Sequence, residues 1–312
     1  MELICLMRKI LLPVDGSENS RRAVEFAGYL GSLIGKGLSG ITLLHVLPTS
    51  HIGRHTDYID LRSEMLKQSD TMKRLRAQHI EKDITPFMDE GEKILRDKGV
   101  DTEIEKLVLE GDPADEILSI ADERDFTTIM LARHIDTKKK DTMHGIIGKV
   151  VHKVHKQVVY IIGSEFLQEK GETVPKILIP VDESRYSMNS VEYSACLAGM
   201  LIESMSGITL LRVINMDKSE AGEDDEEEAQ KILDNVKAVF IQNGISEEKI
   251  TTIKRYGEPA EEIIKEMAVD DYNMIVLGRE RRSAIKDYML GGVSTTVIQN
   301  CKKPTVAIVS SE

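Results

Sequence analysis

Short runs of consecutive apolar residues alternate along the chain with longer segments of helical periodicity. Runs such as "KILLPV" from Lys9 and "GITLLHVL" from Gly40 are continuous and rich in Ile, Leu and Val, which is typical of strands buried on both faces of a parallel sheet. The segments between the runs predict helices, of which the clearest are 19–35, 145–156, 185–201 and 291–301. This alternation favours an α/β fold with an open parallel sheet and helices on both faces.

The same order of elements occurs twice. The 40 residues from Lys9 align without a gap with those from Lys176, and 18 of these positions are identical. Further on, "EGDPADEIL" from Glu110 matches "YGEPAEEII" from Tyr256. Each copy takes up about half of the chain, which is the length of a domain and much longer than a solenoid unit. We therefore predict two tandem domains, each with an open five-stranded parallel sheet, over residues 1–165 (with a longer insert at 49–98) and 174–312.

Composition excludes several classes of protein. The net charge of -12 argues against a nucleic-acid binder, which needs a basic face. No apolar stretch approaches the roughly 20 residues that cross a bilayer, and no cleavage site follows the short apolar start. Three widely spaced cysteines, Cys5, Cys196 and Cys301, predict isolated residues in a reducing compartment. These features predict a cytoplasmic protein with no nucleic-acid or membrane partner.

Candidate binding residues follow the predicted strands of the second copy. Pro180, Val181 and Asp182 end its first strand, and a carboxylate there can bind ribose hydroxyls or cap the next helix. Val213 ends the second strand, where its backbone either meets an adenine edge or belongs to an ordinary strand. Serines at 17 and 184 are positioned to cap the helices that follow.

A glycine-containing loop follows the fourth strand of the second copy. Leu277 and Gly278 end that strand, and Gly291 and Gly292 open the last helix, followed by Val293 and Ser294. Glycine permits close backbone approach, and a helix N-terminus offers free N–H groups to phosphate. Taken alone, two glycine positions of this kind are more often simple turn and cap residues.

Four motifs in the same order in both copies resemble the universal stress protein family. They are K-I-L-x-P-V-D, G-I-T-L-L-x-V, G-x-P-A-x-E-I and the final glycine loop, and the resemblance covers nearly the whole chain twice. It implies an adenine-nucleotide α-hydrolase-like fold of five parallel strands in each domain. In nucleotide-binding members, the strand-one Asp, the backbone after strand two and a G-x2-G-x9-G-[ST] loop hold ATP.

The two copies depart from that loop to different degrees. The second reads Gly278-x2-Arg281-x9-Gly291-Gly292, and Arg281 either obstructs the phosphates or reaches them with its guanidinium. The first reads Ala132-x2-Ile135-x9-Gly145-Ile146, which predicts a degenerate site and a structural or pairing role. We expect ATP or another adenine nucleotide, with or without Mg²⁺, in the second domain only.

Three functions stay open at this point. The first is a nucleotide-binding regulatory or stress-response protein. The second is a scaffold without nucleotide that acts through dimerisation or a protein partner, and the third is a weak ATPase. A dedicated enzyme is disfavoured because no nucleophile–base pair stands near the loop. In the family that the chain resembles, last strands or their flanking surfaces often meet across a two-fold axis. The resemblance therefore implies that "QVVYII" and "PTVAIV" are candidate contacts of an intramolecular pseudo-dimer, and a homodimer of the whole chain stays open.

Overall fold

The computed structural model describes residues 7–48, 70–133, 145–163, 176–215, 223–279 and 292–310. The first half consists of β1 (Lys9–Pro13), α1 (Glu18–Ile34), β2 (Gly40–Pro48), α2 (Asp70–His79), α3 (Thr85–Asp97), β3 (Glu103–Gly111), α4 (Pro113–Glu123), β4 (Thr128–Ala132), α5 (Ile146–Lys153) and β5 (Val158–Ile162). The second half consists of β6 (Lys176–Pro180), α6 (Arg185–Met200), β7 (Gly207–Ile214), α7 (Glu223–Gln242), β8 (Ile250–Tyr256), α8 (Pro259–Val269), β9 (Met274–Arg279), α9 (Gly292–Asn300) and β10 (Thr305–Ser310). The predicted alternation of strands and helices is confirmed.

Local sequence signals explain where the helices begin. The hydroxyl oxygens of Ser17 and Ser184 accept the N–H groups of Ser20 and Ser187 at 3.2 and 3.1 Å, so the predicted caps of α1 and α6 are confirmed. Proline stands in the first turn of both α4 and α8, where its missing N–H costs no hydrogen bond. Helix α7 begins at Glu223, within an acidic run whose charges favour a helix N-terminus.

All ten strands form one sheet in the order β3-β2-β1-β4-β5-β10-β9-β6-β7-β8. Pairing within each half is parallel throughout, which confirms the predicted five-stranded sheets. The last strands β5 and β10 pair antiparallel, with Tyr160 opposite Ala307. The two apolar runs predicted as contacts of a pseudo-dimer are thus the strands that join the halves.

Each face of this sheet carries one apolar core that continues across both halves. Helices α1, α3, α6 and α7 cover one face, with Phe26 and Phe240 in the same cluster. Helices α4, α5, α8 and α9 cover the other, with Ile117 and Ile263 in the second cluster. Burial of one such side chain contributes about 1.5–3 kcal/mol, so the shared cores favour one joint folded unit.

Polar side chains also link the halves. The hydroxyls of Tyr160 on β5 and Tyr193 on α6 lie 2.6 Å apart in the core. The guanidinium of Arg279, at the end of β9, donates to the carbonyl oxygens of His152 and Val154 at the end of α5. A buried cation at the C-terminus of a helix satisfies carbonyls that have no partner within the helix.

The cysteines differ from the expectation. Cys196 on α6 is disulfide-bonded, whereas Cys301 is a buried free thiol. The prediction of isolated cysteines was therefore wrong for Cys196. A disulfide forms where two Cα atoms lie about 4.4–6.8 Å apart in the folded chain, and the spacing of cysteines in the sequence does not reveal that distance.

Candidate functional site

A cleft opens in each half where two neighbouring strands separate. Residue pairing between β6 and β9 ends at Leu178 and Ile275, although β6 continues to Pro180 and β9 to Arg279. The order of strands reverses at this point of the sheet. In open α/β sheets, ligands bind beyond the carboxyl ends of the strands at such a reversal.

The cleft of the second half encloses a cavity of about 680 Å³, which we call the C-terminal cavity. Nine of the predicted site residues line it: Pro180, Val181, Asp182, Val213, Leu277, Gly278, Gly292, Val293 and Ser294. Two more, Arg281 and Gly291, lie outside the described residues. Segments that are separate in sequence therefore meet at one cavity, because parallel strands place their carboxyl ends at the same edge of the sheet.

The carboxylate of Asp182 takes part in the turn before α6. Its Oδ1 accepts the N–H of Ser184 at 2.8 Å, and its own N–H donates to the Ser187 hydroxyl at 2.9 Å. Asp15 of the first half accepts the N–H of Ser17 at 3.0 Å in the same way. The cap of α6 is Ser184 and not Asp182, so Asp182 stabilises the turn before the cap and does not cap the helix itself. This role does not exhaust the carboxylate, which has about four acceptor positions.

Gly278 is required by backbone packing. A Cβ atom at this position would lie 2.1 Å from the carbonyl oxygen of Tyr186, in the first turn of α6. The carbonyl of Gly278 also accepts the hydroxyl of Ser294 at 3.3 Å. This glycine therefore brings β9, α6 and α9 together around the cavity, and it does so without any ligand.

Charges of both signs surround the C-terminal cavity. Arg212, Asp182 and Glu258 line it. Beside it, a hydrogen bond and the charge of Glu183 raise the pKa of the Glu228 carboxyl, and the charge of Arg212 lowers that pKa. Sequence reasoning missed Arg212 and Glu258, although each stands next to a predicted residue or within a recognised motif.

The first half has its own cavity of about 400 Å³, which we call the N-terminal cavity. Its walls include Asp15, Val46, Ala132, Gly145 and Ile146, all positions that correspond to predicted residues of the second half. The loss of the glycine pattern has therefore not closed this cleft. The wall also includes Ile298 and Gln299 from the end of α9, so the second half completes it.

The described part of the chain gives two further findings. None of its helices is long and apolar enough to span a membrane. Within the same residues, no group of three or more His, Cys, Asp or Glu side chains is arranged to hold a metal ion.

The fold and the paired clefts define a class: a tandem α/β protein in which two sets of five parallel strands are joined in one sheet, with one candidate ligand cavity in each half. The model of the universal stress protein family matches residues 7–161 and 173–309. The chain therefore belongs to the universal stress protein family, with two copies of its domain.

Two solved structures share this fold over nearly the whole chain, and one curated relative matches part of the chain. A universal stress protein from Archaeoglobus fulgidus is 21% identical and matches 97% of this chain and 98% of its own, with a TM-score of 0.67. A protein of unknown function from Pseudomonas aeruginosa is 14% identical over 98% of this chain and 94% of its own, with a TM-score of 0.63. The universal stress protein YxiE of Bacillus subtilis is 36% identical over 81 residues, which are 26% of this chain and 53% of the relative. The matched stretch thus spans about half of that curated relative.

Proposed function

We propose that this tandem universal stress protein binds an adenine nucleotide, ATP, ADP or AMP, in the C-terminal cavity. Its role would be regulatory or part of a stress response, without rapid turnover. The observation that carries the proposal is the convergence of predicted residues from three strand ends and one helix start on a single cavity.

Each part of a nucleotide has a suitable surface in this cavity. Leu211, Val213 and Ile263 offer apolar walls to a base, and Asp182 offers acceptor atoms to ribose hydroxyls. The N-terminus of α9 begins at Gly292, where a Cβ atom would meet nothing within 4 Å. The first turn of a helix directs unpaired N–H groups toward a phosphate.

Arginine side chains supply the positive charge in this proposal. Arg212 lines the cavity, and Arg281 is expected to reach the phosphates and not to block them. If Mg²⁺ accompanies the nucleotide, it would enter with the phosphates, because Mg²⁺ is usually held by substrate phosphates and one or two carboxylates.

Calorimetric titration of the full chain with ATP, ADP and AMP tests the proposal. Gly292→Val places a branched side chain where the phosphates would lie, and we expect it to weaken binding by about tenfold or more. Gly145→Val is the control, since Gly145 stands directly before the equivalent helix α5 of the first half, at the position of Gly291, and also has open space around it. Mass spectrometry of copurified small molecules identifies the nucleotide.

A wild-type chain that shows no saturable nucleotide binding contradicts the proposal. The departures at Arg281 and Gly292 would then favour the second candidate, a scaffold that acts through dimerisation or a protein partner. A third candidate, a weak ATPase, is tested by a steady-state assay for phosphate release. Rapid hydrolysis that Gly292→Val abolishes would replace the regulatory role with an enzymatic one.

Three further expectations belong to this proposal. We propose domain boundaries at residues 1–165 and 174–312, and the matched spans 7–161 and 173–309 support them. A cytoplasmic location and a homodimer of the whole chain are proposals as well. Cell fractionation tests the location, and light scattering tests the dimer.

A further inference from the structure

Helix α2 buries no apolar face within the described part of the chain. Every residue of α2 whose side chain is described is exposed, including Leu75 at 54%. None of these side chains belongs to either hydrophobic cluster. The helix continues into α3 through a π-helical turn, Ile80–Ile84. Because helices in proteins are stabilised mainly by packing of an apolar face, α2 has a surface that is suited to a contact with another molecule.

An ion pair orients α2 on the sheet. Nε of Arg76 lies 2.8 Å from Oε1 of Glu110, near the end of β3. Successive residues of an α-helix are rotated by about 100° about its axis. Arg74, two positions before Arg76, is therefore on the opposite face, which it shares with Gln78. The face formed by Arg74, Leu75 and Gln78 thus points away from Glu110.

The charge of α2 is opposite in sign to that of the whole chain. The chain has a net charge of -12, whereas α2 carries Lys73, Arg74 and Arg76 against one acidic residue, Asp70. Glu110 compensates the charge of Arg76. Lys73 and Arg74 are exposed, so α2 presents a basic surface that an acidic surface would complement.

The start of α7 is such an acidic surface. Glu227 and Glu228 are exposed there, and Glu183 is exposed in the turn before α6. Glu227 contacts Lys231 at 2.8 Å, but exposed ion pairs of this kind are weak. A hydrogen bond and the charge of Glu183 raise the pKa of the Glu228 carboxyl, and the charge of Asp225 raises it further. Like charges are thus crowded at this surface, and cations from another molecule would relieve their repulsion.

The basic and the acidic surface lie at opposite ends of the sheet. Arg76 connects α2 to β3, and Glu226 at the start of α7 lies 2.9 Å from Lys254 on β8. Strands β3 and β8 are the first and the last of ten in the sheet, and at about 4.8 Å between neighbours they are about 43 Å apart. Within one chain α2 therefore cannot contact the start of α7, whereas two chains can bring these surfaces together.

We propose that α2 docks on the acidic start of α7 in a second copy of the chain. In a two-fold dimer this contact is made twice, because α2 of each copy meets α7 of the other. The negative charge of the chain opposes other modes of self-association, and the opposite charges of these two surfaces select this one. The contact does not depend on the nucleotide proposal, and it assigns a surface to the proposed homodimer.

Sedimentation velocity of the full chain without nucleotide measures the association. We expect a dimer at low salt, and the dissociation constant should rise by about tenfold or more between about 0.05 and 0.5 M salt, because salt screens exposed charges. The double variant Lys73→Glu with Arg74→Glu should raise the dissociation constant at low salt by about tenfold or more, since it places like charges against each other. Glu227→Lys with Glu228→Lys should have the same effect. All four substitutions together should restore the dimer, because both surfaces then change sign.

A matched control separates this contact from the general effect of charge. Lys36→Glu with Lys93→Glu alters the net charge as much as the α2 variant, at exposed positions after α1 and on α3, and should leave the dimer intact. All these substitutions are at exposed positions, so each variant should fold, as circular dichroism can verify. The inference is overturned if the chain is monomeric at low salt, if the control weakens the dimer equally, or if the fourfold variant does not regain it. Salt-sensitive binding of polyglutamate to a monomeric chain would assign α2 to a different acidic partner and overturn it as well.

Discussion

Replacement of Arg279 by methionine should measure how much this side chain contributes to stability through the contact between the halves. Arg279 is 8% exposed, and its guanidinium donates to the carbonyls of His152 and Val154. Methionine keeps much of the length and apolar contact but leaves both carbonyl oxygens without this donor. The substitution therefore tests whether the arginine stabilises the joined fold or merely fills space.

The magnitude follows from these two contacts. A hydrogen bond from a charged donor contributes about 1.5–3 kcal/mol, so two contribute about 3–6 kcal/mol. Removal of the guanidinium also removes the cost of burying it, which offsets part of this loss. We expect a net destabilisation of about 3 kcal/mol. At roughly 2–4 °C for each kcal/mol, Tm should fall by about 6–12 °C.

Differential scanning calorimetry measures the change, with Arg21→Met as the control. Arg21 is exposed, and its Nε lies 3.7 Å from Oε1 of Glu25. An exposed ion pair of this kind contributes about 0–1 kcal/mol. Arg279→Lys should lie between the two variants, because lysine keeps the charge but loses the planar pair of donors.

The pKa of His152 supplies a second, independent readout. Burial lowers this pKa first, and the charge of Arg279 lowers it further. In Arg279→Met the pKa of His152 should therefore rise, as an NMR titration can measure. Equal Tm changes in Arg279→Met and Arg21→Met, together with an unchanged pKa of His152, would refute the reasoning.

Three other predictions concern single side chains. Tyr160→Phe or Tyr193→Phe alone should cost about 1–3 kcal/mol, because the other hydroxyl stays buried without a partner, whereas the double variant should cost less than the sum in a double-mutant cycle. Burial raises the pKa of both tyrosines. The free energy of unfolding should therefore fall as pH rises above about 10, because the tyrosines ionise first in the unfolded chain. If the double variant shows the same alkaline unfolding curve as the wild type, this reasoning is wrong. Gly278→Ala should cost about 1–3 kcal/mol through the clash with a backbone carbonyl, while Gly292→Ala, which has open space, should be close to neutral in urea unfolding. Burial raises the pKa of the Cys301 thiol to about 11, so this thiol should react with a disulfide reagent at pH 8 only after unfolding; rapid reaction of the native chain would show that it is accessible.

Much of the site could be inferred from local sequence patterns. Asp182, Val213 and Gly278 each follow a recognisable apolar run, and the carboxyl ends of parallel strands collect at one edge of a sheet. Their convergence on one cavity therefore required only the order of strands and helices. Arg212 and Glu258 belong to the same cavity, but a single sequence offers no periodic signal that distinguishes a cavity-lining charge from a solvated one.

The sequence by itself determined the duplication, the order of the strands and helices and the strand ends that line the clefts, because these depend on short-range periodicity and on the rules of parallel sheets. Only the tertiary structure decided how the halves cooperate. Arg279 contacts carbonyls 125 and 127 residues away, and the end of α9 completes the cavity of the other half. These contacts depend on the antiparallel pairing of β5 with β10, which places one half against the other. The sequence indicated these two strands as contacts, but the direction and register of their pairing required the folded structure.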